Sequence, residues 1–268
     1  VTGASLLAPV PALAADRAAI TLHDPVFVSD LHLNETQPAT LARFLRFARE
    51  IAARHRELVI LGDLFEYWAG DDDLDSGIGS TVAAALRELA AQGVAVFVMH
   101  GNRDLLLGRA FAQSAGATLL ADPTRAMFAG RTVLLAHGDA YCTRDTEYQR
   151  FRAQVRDPDW QRGFLAQSLA ARRAFVGAAR AASESEKRAK PAAIMDVTPQ
   201  AIDAALRAAG LATMLHGHTH RPAVHRWTLD GRAAERWVLP DWDFDAANDR
   251  GGYIVCADRA LRAVPLAH

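Results

Sequence analysis

Five apolar runs in this chain each end in side chains that bind cations. Val26-Phe27-Val28 leads to Asp30 and His32, and Val59-Ile60-Leu61 leads to Gly62-Asp63. Val94 to Met99 ends in His100-Gly101-Asn102-Arg103-Asp104. Thr132–Ala136 ends in His137-Gly138-Asp139, and Leu211–Leu215 ends in His216-Gly217-His218-Thr219-His220. Asp30, His32, Asp63, Asn102, His137, His218 and His220 offer oxygen or imidazole and no thiolate. Such a set suits Mn²⁺, Fe²⁺, Co²⁺ or Zn²⁺ better than a cysteine-rich structural zinc site. Seven donors exceed what one catalytic ion with open positions needs. They suit two ions about 3.5–4 Å apart that share a carboxylate. Asp63 is the expected bridge. Taken singly, each donor has an ordinary reading: a loop-capping Asp, a surface His, a turn Asn. The ordered set is what ordinary readings do not explain.

The elements that must position these donors alternate between strand and helix. Helices are expected at about Thr40–Arg54, with apolar residues at three- and four-residue spacing, and at about Ser80–Gln92, stopping at Gly93. Others are expected at about Leu106–Ser114 and from Thr198-Pro199 to Ala209, ended by Gly210. Short strands are read at Arg125–Phe128 and Thr132–Ala136, a hairpin at Val224–Leu229 and Ala233–Leu239 around Asp230-Gly231, and closing strands at Gly252–Cys256 and Leu261–Pro265. This alternation, followed by antiparallel strands, predicts an α/β sandwich of sheets with helices outside. Carboxylates at the C-terminal ends of buried strands sit where open α/β sheets keep their chemistry.

The 268 residues are half hydrophobic with a formal charge of −1, enough for one large α/β domain and no mark of a nucleic-acid partner. Two cysteines, Cys142 and Cys256, make no disulfide framework, and a reducing compartment is the default expectation. Val1 to Ala15 is rich in Ala and Pro and only loosely like a signal peptide, lacking a positive n-region. Residues 1–22 are therefore read as an unstructured extension, and 23–268 as the domain.

From about 144 to 192 the composition shifts toward Arg, Ala and bulky apolar residues without strand character. We read a helical insertion. Its cations stand among Phe151, Trp160, Phe164, Phe175 and Val176. A solvated helical face is the ordinary explanation. The apolar company instead suits an amphiphilic anion or an anionic membrane surface.

The order Asp-x-His, Gly-Asp, Gly-Asn-Arg-Asp, His-Gly-Asp, Gly-His-Thr-His, spanning Asp30 to His220, resembles the calcineurin-like metallophosphoesterase superfamily. The resemblance implies a four-layer αββα sandwich with the insertion as a lid. It implies Asp30, His32, Asp63 and His220 on one divalent ion, and Asp63, Asn102, His137 and His218 on the other. Two cations there would neutralise phosphoryl oxygens and acidify a water for in-line attack. Arg103 could fork hydrogen bonds to phosphate.

Longer matches narrow the resemblance. Leu61-Gly62-Asp63-Leu64-Phe65-Glu66, Gly70-Asp71-Asp72-Asp73, Leu105-Leu106-Leu107-Gly108, Cys142-Thr143, Ala193 to Val197 and His216 to His225 are similar to UDP-2,3-diacylglucosamine pyrophosphatases of Gram-negative lipid A synthesis. That family implies water attack on the α-phosphorus, giving UMP and 2,3-diacylglucosamine 1-phosphate, with Mn²⁺, by a monomer peripheral on the cytoplasmic face of the inner membrane. It implies substrate contacts from Asn102, Arg103, Asp145, Ser183, Lys187, Lys190 and His218. Catalytic roles would fall to Asp30, His32, Asp63, Asn102, Arg103 and His137. One departure is Pro240, where the family pattern leads us to expect Gly; it puts the geometry of the last strands in question. The alternatives are another dinuclear phosphoesterase acting on nucleotides or phosphodiesters, and a scaffold that kept the fold without catalysis.

Overall fold

The structure, a computed structural model, describes residues 18–189 and 194–266, without the side chains of residues 182–189. The expected substrate residue Lys190 and the side chains of Ser183 and Lys187 lie outside what is described. One six-stranded sheet runs β12-β11-β2-β3-β4-β5 and the other β1-β6-β7-β8-β10-β9. In the first, β2 is Pro25–Val28, β3 Glu57–Leu61, β4 Ala95–Met99, β5 Ala117–Leu120, β11 Gly252–Ala257 and β12 Ala260–Pro265. In the second, β1 is Ile20–Thr21, β6 Thr124–Phe128, β7 Arg131–Leu135, β8 Thr213–His216, β9 Ala223–Leu229 and β10 Arg232–Val238. The helices are α1 Pro38–Glu50, α2 Gly79–Ala91, α3 Arg109–Ala115, α4 Thr146–Val155, α5 Pro158–Leu165, α6 Leu169–Ala189 and α7 Pro199–Ala209.

The expected four layers are present. Phe27, Val59 and Leu61 from one sheet meet Phe128, Val133, Leu135 and Leu215 from the other, forming a core between the sheets. Val26, Leu58 and Ile60 point the opposite way, against Phe44, Phe47, Leu86 and Phe111 of α1, α2 and α3. Leu134 and Met214 pack under Ile202, Leu206 and Ala209 of α7. Because β3 is covered on both faces, every residue in it is buried, which is why Leu58 to Leu61 read as an unbroken apolar run. Strands β2 to β5 pair in parallel, with Phe27 opposite Val59 and Val59 opposite Phe97. Their C-terminal ends therefore align, and the parallel pair β7 and β8 brings two more ends to the same edge.

Three features depart from the sequence reading. The fold begins earlier than residue 23: β1 pairs with β6, and Leu22 is buried in the inter-sheet core. A two-residue strand is too short to show a period. Strand β5 was not anticipated; it is an edge strand with mixed exposure directly after the left-handed Gly116. Pro240 does not disturb the end of β10. Leu239 N still donates to His216 O at 2.8 Å, and Trp242 N to Asp30 O at 3.0 Å. A proline between them forgoes only a donor that is not needed. Cys142 and Cys256 are both free.

Candidate metal centre and adjoining groove

The strand ends are knitted by backbone before any side chain enters. Asp30 N donates to Gly62 O, Leu31 N and His32 N both donate to Asp63 O, and Gly217 N donates to His137 O. The turns this requires are sharp. Nine described non-glycine residues have positive φ, and five of them are expected donors: Asp30 (55°), His32 (48°), Asp63 (52°), His218 (66°) and His220 (52°). Non-glycine residues rarely occupy this region, and such strain concentrates at functional sites.

Two donor clusters result. Asp30, His32 and His220 place ligand atoms within 4.8 Å of one another, as do Asp63, His137 and His218. Asp63 stands between them. Its Oδ1 accepts from Arg103 N at 2.8 Å, while its Oδ2 lies 3.8 Å from His32 Nε2 and 3.6 Å from His137 Nε2. Asn102 joins the second cluster, with Oδ1 3.0 Å from His137 Nε2 and 2.9 Å from His218 Nδ1. All seven expected donors are thus brought together.

The proton positions test whether cations fit. His137 Nδ1 lies 2.9 Å from the Leu61 carbonyl, which can only accept, so Nδ1 carries a proton and Nε2 is the ring atom turned toward Asp63 and Asn102. His32 Nδ1 is 2.7 Å from Glu66 Oε2, and His220 Nδ1 is 3.3 Å from Asp241 Oδ2. Their Nε2 atoms face each other at 3.2 Å, with Asp30 Oδ1 3.5 Å from that of His220. Imidazole–carboxylate pairs of this kind orient metal-binding histidines. Burial opposes charge on His137, yet Asp63, Asp30 and Asp139 raise it to about 9. Burial likewise opposes charge on His220, yet Asp241 and Asp30 raise it to about 10. Burial and the nearby His137 keep His218 neutral, well below its ordinary value. Lone pairs and carboxylates that converge and draw positive charge against the cost of burial are the surroundings of a cation pair.

Residues around the donors carried no assigned role in the sequence reading. Buried Asp104 accepts from Gly101 N and Leu64 N, both at 2.8 Å, pinning two motif turns together. Buried Asp139 accepts from Tyr148 Oη and Arg152 Nε at 2.8 Å and from Arg156 Nη2 at 3.3 Å, tying α4 to the end of β7. Burial would raise the Asp139 carboxyl, but Arg156 and Arg152 hold it well below the usual range. Its stabilisation is therefore complete above the unfolded carboxylate value near pH ~4 and fails only as pH falls below it. Asp139→Asn should cost about 3 kcal/mol or more at pH 7, because two cations lose their buried counter-charge; urea unfolding measures it. Asp104 and Asp139 sit inside the quoted motifs, which was the available signal. Asp241 had none.

The insertion forms α4, α5 and α6, and its charges are used differently from the expectation. Arg172, 2 % exposed, pairs with Asp72 and donates to Ala69 O, and Arg173 pairs with Asp73. Arg152 and Arg156 are held by Asp139. These cations fasten the insertion to the aromatic-acidic loop 65–73 and to β7 rather than forming an open cationic face. Asp145, expected at substrate, caps α4 by accepting from Tyr148 N at 3.1 Å. Between insertion and motifs lies a cavity of about 280 Å³. Asn102, Arg103 and Arg180 line one part of it, and Phe151, Val155, Trp160, Phe164 and Phe175 another. Trp160 stacks on Phe164 at 4.8 Å, and Phe175 meets Phe164 edge-on at 5.2 Å.

A family model for calcineurin-like phosphoesterases matches residues 25–222, which contain every donor. The chain belongs to the calcineurin-like phosphoesterase family. Similar curated proteins include the UDP-2,3-diacylglucosamine hydrolase of Cellvibrio japonicus, 50 % identical over 81 % of this chain and 90 % of that one. That of Ralstonia nicotianae is 45 % identical over 97 % and 99 %, and that of Aromatoleum aromaticum 49 % identical over 82 % and 90 %. Among solved structures, Vps29 complexed with Zn²⁺ from Entamoeba histolytica is a distant likeness, at TM-score 0.40 and 9 % identity over 91 % of this chain and 98 % of that one. The donor cluster and the groove adjoin at Asn102, which lies beside both donor histidines and lines the groove.

Proposed function

We propose that this chain hydrolyses the pyrophosphate bond of UDP-2,3-diacylglucosamine, releasing UMP and 2,3-diacylglucosamine 1-phosphate. One observation carries the reading: Asn102, within 3.0 Å of two donor histidines, also lines the aromatic groove. The reacting phosphate and the acyl chains then have adjoining places. The names of the relatives support the same substrate.

In this reading Asp30, His32, Asp63 and His220 hold one divalent ion and Asp63, Asn102, His137 and His218 the other. Mn²⁺ is the ion we propose for a mixed oxygen and nitrogen donor set. When bound, the ions supply Lewis acidity to the phosphoryl oxygens and to water. The chain does the rest. Arg103 N fixes the Asp63 carboxylate, which would be shared between the two ions. Arg103's guanidinium, in the groove beside Asn102, donates to phosphate oxygens. His218, with the ring of Tyr148 at 6.0 Å, and Asp145 at the start of α4 are proposed substrate contacts. Ser183, Lys187 and Lys190 are proposed contacts from the same insertion.

The protein is proposed to work as a monomer docked on an anionic membrane surface, on the cytoplasmic face of the inner membrane. Phe151, Leu165 and Phe175, about 40 % exposed, lie on the insertion, and no helix among the described residues is long and apolar enough to cross a membrane. The direct test is UMP release from UDP-2,3-diacylglucosamine by purified protein with Mn²⁺. Release, with little turnover of a generic phosphodiester, supports the proposal; brisk turnover of the diester without UMP release favours a general phosphoesterase. Replacing Phe164 and Phe175 together with Ala should raise KM for the lipid substrate roughly tenfold or more, the scale of losing a buried aromatic anchor. Hydrolysis of a small activated phosphodiester should stay near normal.

A further inference from the structure

Glu66 ends the motif Leu61-Gly62-Asp63-Leu64-Phe65-Glu66, and its contact with His32 is only part of its surroundings. It is 8 % exposed, and its two oxygens face different parts of the molecule. Oε2 is 2.7 Å from His32 Nδ1, on the far side of the ring from the donor cluster. Oε1 is 2.9 Å from Arg180 Nε on α6 and 3.8 Å from Arg103 Nη1. We infer that Glu66 is a two-sided positioning residue: one oxygen fixes the His32 ring for cation binding, and the other fastens α6 over the groove through Arg180. The inference rests on the two-cation reading of the site.

The geometry supports a division between the two oxygens. A carboxylate oxygen 2.7 Å from Nδ1 favours a proton on that nitrogen, which leaves Nε2 as the ring atom facing Asp63 and His220. The Arg180 contact is of another kind. The α6 helix is already anchored near its start by the buried Arg172–Asp72 pair and by Arg173–Asp73. Arg180 lies two turns further on, is 40 % exposed, and lines the groove itself. Among the described residues, its pair with Glu66 is the tie that reaches from this part of α6 to the donor shell.

Three variants separate the two functions. Glu66→Ala removes both contacts. Glu66→Gln keeps an oxygen beside His32 Nδ1 but loses the charge that holds Arg180. Arg180→Ala removes only the second contact. Calorimetric titration of each purified full chain with Mn²⁺ reads the first function, and amide hydrogen exchange along α6 reads the second. Neither measurement needs substrate. Glu66→Ala should weaken Mn²⁺ binding about 10–100-fold, the range seen when a histidine loses its orienting partner. Glu66→Gln should restore most of that affinity, and Arg180→Ala should leave it near wild type. All three should speed exchange around Arg180. Thermal unfolding within a few degrees of wild type would show that the metal effect is local.

Wild-type affinity in Glu66→Ala would overturn the orienting role. Equal weakening in Arg180→Ala would overturn the division of labour, and unchanged exchange in all three would overturn the fastening role. If wild-type protein binds two Mn²⁺ with this pattern yet releases no UMP, the substrate reading fails and this inference stands.

Discussion

Asp63→Ala reduces turnover by on the order of 10³-fold or more and removes most metal binding. The scale is that of deleting one preorganised electrostatic stabiliser, and Asp63 serves two sites at once. Its Oδ2 is the carboxylate oxygen facing both His32 and His137, while its Oδ1 is tied to Arg103 N. Replacing it opens both clusters and frees the turn that carries Asn102 and Arg103. Steady-state rates together with calorimetric Mn²⁺ titration check this. Near-normal activity would end the two-ion account, because no other described carboxylate occupies the space between the histidine pairs.

The second large effect comes from one methyl group. Gly101→Ala should cut activity by about 10²-fold or more and displace Asp63. A Cβ at residue 101 would sit 2.0 Å from Asp63 Oδ1 and 2.3 Å from Asp63 N. The second contact is with backbone, so no rotamer relieves it. Overpacking of this kind costs about 1–3 kcal/mol, small enough for the protein to stay folded while the bridging carboxylate moves. Gly217→Ala should act similarly on the other cluster, since its Cβ would meet Asp30 Oδ2 and Ser29 Oγ, each at 2.1 Å. Circular dichroism near wild type with lost Mn²⁺ binding is the expected pair of results. Retained metal affinity would mean that the turns are less tightly built than the contacts indicate.

Much of this site was legible in the sequence because a buried parallel strand leaves a simple trace. An apolar run stops, and the next polar residues sit at the sheet edge. Val59 to Asp63 shows it most clearly, and β2, β4, β7 and β8 repeat it. Glycines at 62, 101, 138 and 217 marked where the turns are tight. The supports of the donors were less legible. Glu66 and Asp104 lie inside motifs, yet nothing local reveals that one backs His32 and the other pins Gly101. Asp241 reaches His220 from beyond the β9–β10 hairpin, a contact that only the sheet order creates.

The charge of the insertion was misread for the same reason. Arg172 and Asp72 are 100 residues apart in sequence, as are Arg173 and Asp73, and composition alone cannot pair them. What looked like a cationic face for an anionic ligand is in good part a fastening. The apolar half of that reading held, because Trp160, Phe164 and Phe175 do line a groove. Strands β1 and β5 escaped notice because each is short and lies at or near a sheet edge, where a period of two residues has little room to appear.

Hydrolysis of UDP-2,3-diacylglucosamine in ¹⁸O-labelled water, with Mn²⁺-loaded protein, tests the central claim most directly. The account predicts UMP carrying ¹⁸O on its phosphate and unlabelled 2,3-diacylglucosamine 1-phosphate, with the reaction lost on chelation and restored by Mn²⁺. Label on the lipid phosphate, or UMP formation indifferent to chelation, would contradict it.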